Sequence, residues 1–90
     1  MTAPPSYMTD AKQRKRFAEI AEASCCEDAD AIARYVLGEI EYLLCADMVG
    51  REIRKMREGA STIANVERAQ RVKNAALKQM LREAQGIGLK

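Results

Sequence analysis

Between Ile63 and Ala84 the apolar residues Ile63, Val66, Ala69, Val72, Ala76, Leu77, Met80, Leu81 and Ala84 recur mostly at every third or fourth position. At 3.6 residues per turn they form one broad apolar face, with Lys73 inside it and Arg68, Arg71, Lys78 and Arg82 on the far side. Ser61 or Thr62 can cap such a helix and Gly86 and Gly88 can end it, so the pattern predicts a helix over about 62–85. Upstream, from about 25 to 58, the pattern is richer. Ile32, Val36, Leu37, Ile40, Leu43 and Leu44 make one stripe, and Tyr35, Tyr42, Cys45, Ala46, Val49, Ile53 and Met56 make a second, displaced around the helix. Tyr35, Tyr42, Val49 and Met56 fall a heptad apart, the spacing that keeps a seam against a partner helix. A third, weaker segment over about 10–23 has only Phe17, Ile20 and several alanines to bury, behind Thr9 or Asp10 as cap.

The boundaries between these segments follow from local chemistry. Ser24-Cys-Cys-Glu27 has the form of a capping box, with Asp28 and Asp30 adding the negative charge a helix N-terminus favours. Gly59 is the first strong stop after it, although Gly38 and Gly50 offer earlier points of weakness. Residues 1–9 contain both prolines and no periodicity, and read as a flexible lead-in to one helical domain over 10–90. The short Gly-Ala-Ser connection leaves the last helix only an antiparallel course. The fold class expected is all-α, a long antiparallel helical hairpin with a short N-terminal helix, assembled as a helical-bundle oligomer.

The assembly follows from the surplus stripe. A hairpin partner covers one stripe of the central helix, and a seam of Ile, Val and Leu left in water exceeds what a monomer usually exposes. The sequence therefore predicts a homo-oligomer, most simply a dimer with the central helix inside it. Ile32, Tyr35, Val36, Ile40, Tyr42, Leu43, Val49, Ile53 and Met56 are the expected protein-interface residues. The competing packings are a monomeric three-helix bundle with the first helix as lid, and an open groove awaiting another protein.

Composition supports helices and narrows the chemistry. The 90 residues are 48% hydrophobic and 31% charged, enough for one modest core. Without a single His or Trp, the chain has no imidazole for metal binding or general-base catalysis. Cys25, Cys26 and Cys45 are odd in number and lack a C-x-x-C spacing, which favours small buried hydrophobes in a reduced, cytoplasmic setting. Asp28, Asp30 and Glu39 match three positions of a calcium loop, but Ala33 replaces its turn glycine and Ile32 and Arg34 occupy ligand positions. No metal, cofactor or catalytic constellation is expected, and no apolar run is long enough to insert in a membrane.

The net charge of +2 conceals blocks. Lys12, Arg14, Lys15 and Arg16 make the first sixteen residues basic; residues 17–50 hold eight acids against Arg34 alone; residues 51–90 hold ten Lys or Arg against four Glu. In an antiparallel hairpin the acidic stretch lies beside Arg71, Lys73, Lys78 and Arg82, with Asp47 as a partner for Lys73. The function this favours is a non-enzymatic protein-interaction module, a small adaptor or inhibitory protein that occludes a partner. The alternative is a nucleic-acid or nucleotide-phosphate binder using Lys12, Arg14, Lys15 and Arg16, or Arg51, Arg54, Lys55, Arg57 and Arg68 at the hairpin tip.

Overall fold

The computed structural model describes residues 2–89, which form three α-helices and, among the described residues, no strand. They are α1 (Ala11–Ala23), α2 (Ala29–Arg57) and α3 (Ile63–Gly86). Asp10 caps α1 by accepting from the amides of Lys12 (2.8 Å) and Gln13 (3.1 Å). The Ser24–Glu27 capping box does not form. Ser24 instead ends α1, in extended conformation, and Asp28 caps α2 by accepting from the Asp30 and Ala31 amides. A box starting at Ser24 would run α1 straight into α2; starting at Asp28 leaves an extended link in which the chain can turn.

Once started, α2 continues through Gly38 and Gly50 without a break. Its 29 residues span about 43 Å. It ends in a Schellman motif at Gly59, whose φ of 78° is the left-handed conformation that an L side chain resists. The amide of Gly59 donates to the Met56 carbonyl (3.1 Å) and that of Ala60 to the Lys55 carbonyl (2.7 Å). The same device recurs at Gly88, also at φ 78°, where Gly88 donates to the Gln85 carbonyl (3.2 Å) and Leu89 to that of Ala84 (2.9 Å). This second motif turns the chain out of α3 and puts Ile87 into the core.

Met8, Phe17, Ile20, Ile32, Ala33, Tyr35, Val36 and Ile87 form the buried cluster, with Met80, Ala84 and Leu89 packed against it. The core thus sits at one end, where α1, the start of α2 and the end of α3 meet. Two of its largest side chains, Met8 and Ile87, lie outside the helices, in segments that periodicity reads as lead-in and tail. Met8 is brought in by a turn in which its amide donates to the Pro5 carbonyl (3.0 Å), and the Tyr7 hydroxyl donates to Asp30 (3.1 Å).

α2 packs along α3. Arg34, early in α2, meets Glu83, late in α3, at 3.7 Å, whereas Glu52, late in α2, accepts from Ser61 just before α3. Beyond α1 only these two helices continue, with Cys45, Val49 and Val66 buried between them. The molecule is correspondingly elongated, 51 × 25 × 18 Å with a radius of gyration of 15.8 Å. A compact chain of this length would have a radius of gyration of about 12 Å.

Candidate protein-interaction surface

The best-ordered polar site ties α1 to α2. Arg16 donates through Nε to Glu39 Oε1 (2.7 Å) and through Nη2 to Glu39 Oε2 (2.9 Å), and its remaining nitrogen Nη1 donates to Glu19 (2.9 Å). Tyr35 donates to Glu39 Oε2 at 3.0 Å. The Arg16 hydrogen bonds hold the Glu39 carboxyl below its ordinary value, against the opposing effect of burial. Burial first, and then the bond to Glu39, pushes the Tyr35 hydroxyl up. Every strong group here is satisfied by another, so the network is a clamp with no free acid, base or nucleophile.

That clamp removes Arg16 from the basic run of α1, and Arg14 is engaged as well, donating to the Met8 carbonyl at 3.2 Å. Lys12 and Lys15 are exposed and make no ion pair among the described residues. Of the second basic group, Arg51 pairs with Asp47 (2.9 Å) and Lys55 with Glu52 (3.4 Å), both along α2. Arg54 and Arg57 lie in its last turn, where cations favour the helix dipole. Arg68 lines a cleft on α3. The expected α2-acid to α3-base pairing is not realised: Asp47 is held by Arg51 rather than Lys73, and the ion pair that joins α2 to α3 has its cation on α2. Glu39 and Asp47 are taken by nearer cations, on α1 and one turn along their own helix.

Exposed large apolar side chains occur at both ends of the molecule, with the larger share beyond α1. Of the residues expected at a protein interface, Ile32, Tyr35, Val36 and Val49 are buried inside the chain, and Ile40, Tyr42, Ile53 and Met56 are half-buried. Leu43 is exposed. The heptad seam through Tyr35, Val49 and Met56 lies on the side of α2 that includes buried Cys45, whose cleft is completed by α3. The large apolar side chains left in water are Tyr7, Leu37 and Leu81 near the core end, and Leu43 at 57%, Leu44 at 62%, Met48 at 54%, Ile63 at 66% and Val72 at 55% relative exposure. The last five lie in the part of α2 and α3 beyond the core cluster. Met48 and Val72 line an apolar cleft of about 270 Å³, together with Cys45, Glu52, Asn65, Arg68 and Ala69. Periodicity alone identifies apolar stripes but not how far α1 reaches along them, and Leu44, Met48 and Val72 become distinctive only once that reach is known.

Among the described residues no cluster of His, Cys, Asp or Glu is placed to hold a metal, and no helix is long and apolar enough to cross a membrane. Cys45 is buried, Cys26 half-buried and Cys25 exposed, and none is disulfide-bonded. No protein-family model matches the chain, and no curated protein or solved structure is significantly similar to it.

Proposed function

We propose that the chain is a non-enzymatic, cytoplasmic protein-interaction module, an antiparallel helical hairpin with a short N-terminal helix, that acts by covering other protein surfaces, copies of itself included. The observation that carries this reading is the exposed apolar surface of the α2–α3 pair beyond α1, where Leu43, Leu44, Met48 and Val72 remain in water. Exposed apolar area concentrated on one part of a small molecule marks an interaction site more often than a tolerated surface. The reading as an adaptor or inhibitor rests on the same surface, because a two-helix prong can occlude a partner without chemistry of its own.

Engagement of Arg14 and Arg16 by groups within the chain weakens the alternative of phosphate recognition through the first basic run. Affinity capture from the native host, with the wild type against Leu43→Glu and Val72→Glu, tests the proposal. A protein partner retained by the wild type and lost with either variant, at unchanged helix content, supports it. Capture of nucleic acid that Arg54→Glu with Arg57→Glu abolishes, with no protein lost on Leu43→Glu or Val72→Glu, refutes it.

A further inference from the structure

One face of α2 stays exposed, touched by α3 only at its edge through Arg34 and Met48, and its residues follow an alternating three-and-four spacing: Arg34, Leu37, Glu41, Leu44, then Met48, Arg51, Lys55 and Glu58. Every one of them is exposed. Alternating steps of three and four keep a row of side chains on a single seam, the geometry by which one helix lies along another. The seam runs for about 37 Å, nearly the whole of α2. Its middle is apolar, Leu44 and Met48, and each end carries both signs of charge, Arg34 and Glu41 before the middle and Arg51, Lys55 and Glu58 after it, in an order that matters.

We propose that a second copy of this chain occupies this seam, with the two α2 helices antiparallel and in one register, Leu44 against Met48 of the second copy. This rests on the protein-module reading above and specifies one partner of that module. In this register Glu41 faces Arg51 of the second copy, Arg34 faces its Glu58, and Leu37 lies along the aliphatic stem of its Lys55. The two-fold axis, level with Ala46, repeats each contact. Opposite charges therefore meet on both sides of an apolar centre.

The other arrangements of the same seam are worse. In a parallel pair each residue meets its own copy, so Glu41, Arg51 and Lys55 each face a like charge. Sliding the antiparallel pair by one heptad sets Glu41 against Glu58 and Met48 against Arg51. Sliding it the other way sets Arg34 against Arg51 and Glu41 against Leu44. Repulsion in the alternatives is as effective in selecting a register as attraction in the favoured one. The intrachain partners of the seam do not compete strongly: Arg51–Asp47 and Arg34–Glu83 are exposed pairs that contribute little on their own.

The test is light scattering and analytical ultracentrifugation of the full chain under reducing conditions, across a concentration series. The wild type is expected to dimerise. Glu41→Arg and Arg51→Glu should each weaken the dimer by about tenfold, because each places two like-charged pairs in the seam. An equimolar mixture of the two variants should regain wild-type association, as should one chain carrying both substitutions, since either combination restores opposite charges at every contact. Circular dichroism establishes that each variant is folded, and Leu44→Glu, at the apolar centre, provides a second disruption independent of charge. A wild type that stays monomeric at the highest soluble concentration overturns the inference, as does a dimer indifferent to Glu41→Arg or not rescued by mixing. A monomeric wild type that still loses a captured protein on Leu43→Glu would sink the second-copy inference alone and leave the module reading standing.

Discussion

Among the described residues, Arg16 is the one member of the first basic run that forms ion pairs, with Glu39 across the α1–α2 junction and with Glu19 on its own helix. The pair is lopsided in burial, with Arg16 40% and Glu39 17% exposed at the side chain. Solvent screening of Arg16 limits what the contact contributes, so Arg16→Ala should lower stability by only about 1 kcal/mol in denaturant unfolding. The pH dependence has a definite sign. Because Glu39 titrates below the ordinary carboxylate value of 4.5, its contribution is fully present above that value and is lost as pH falls through the lower folded one. Stability measured by denaturant unfolding should therefore fall more steeply on acidification in the wild type than in a protein without this linkage. In Arg16→Ala the acid dependence should be flatter, and an unchanged profile would rule out the clamp as its source. Composition and charge order identify Arg16 as basic and Glu39 as acidic, but they lie 23 residues apart. Only the fold decides that the cation is used internally.

For the elements, local signals were legible wherever one residue type answers one backbone need. Gly59 as a stop and Thr62 as a cap are readable because a left-handed residue and a side-chain acceptor are required just there. The Ser24 box was misleading because two overlapping capping signals compete within five residues, and sequence cannot say which one the turn between α1 and α2 will use. Gly38 and Gly50 show the reverse case: both are helical, and a Cβ built at either meets nothing within 4 Å. Gly38→Ala and Gly50→Ala should thus each stabilise the monomer by about 0.5–1 kcal/mol, read as a rise in the urea midpoint. Gly59→Ala should do the opposite by a similar amount, since φ of 78° strains any L side chain. A midpoint that falls for Gly50→Ala would mean that this part of α2 gains from its weakness.

Across the molecule, burial is graded from one end to the other. The cluster around Phe17, Ile32 and Val36 is almost fully enclosed, whereas in the far part of the α2–α3 pair, among the described residues, only Cys45, Val49 and Val66 are buried. Hydrogen exchange of dilute protein should reflect this, with amides near Ile32–Val36 the slowest and those of α2 and α3 flanking Gly59 markedly faster. If the seam of α2 is occupied by a second copy, raising the concentration should slow exchange around Leu44 and Met48 first. Uniform protection along α2 in the dilute monomer would contradict the gradient. The all-helical class and the number of helices were visible in periodicity, because each helix is long enough to repeat its pattern. The assignment of faces was not, since it depends on where α1 stops, and α1 signals its packing with little more than Phe17 and Ile20. Met8 and Ile87 were equally hidden, single apolar residues outside any period.

Their meeting has a bearing on how the chain folds. Met8 and Ile87 belong to the same core although almost the entire described chain separates them. For a helical protein, whose contacts are mostly local, this is a long loop to close, and its entropic cost falls late. On the ribosome, α1 and the first turns of α2 emerge well before residue 87 and can only cluster loosely around Phe17. The core closes when the Gly88 turn delivers Ile87, so completion of the fold is timed by the last part of the described sequence to be synthesised.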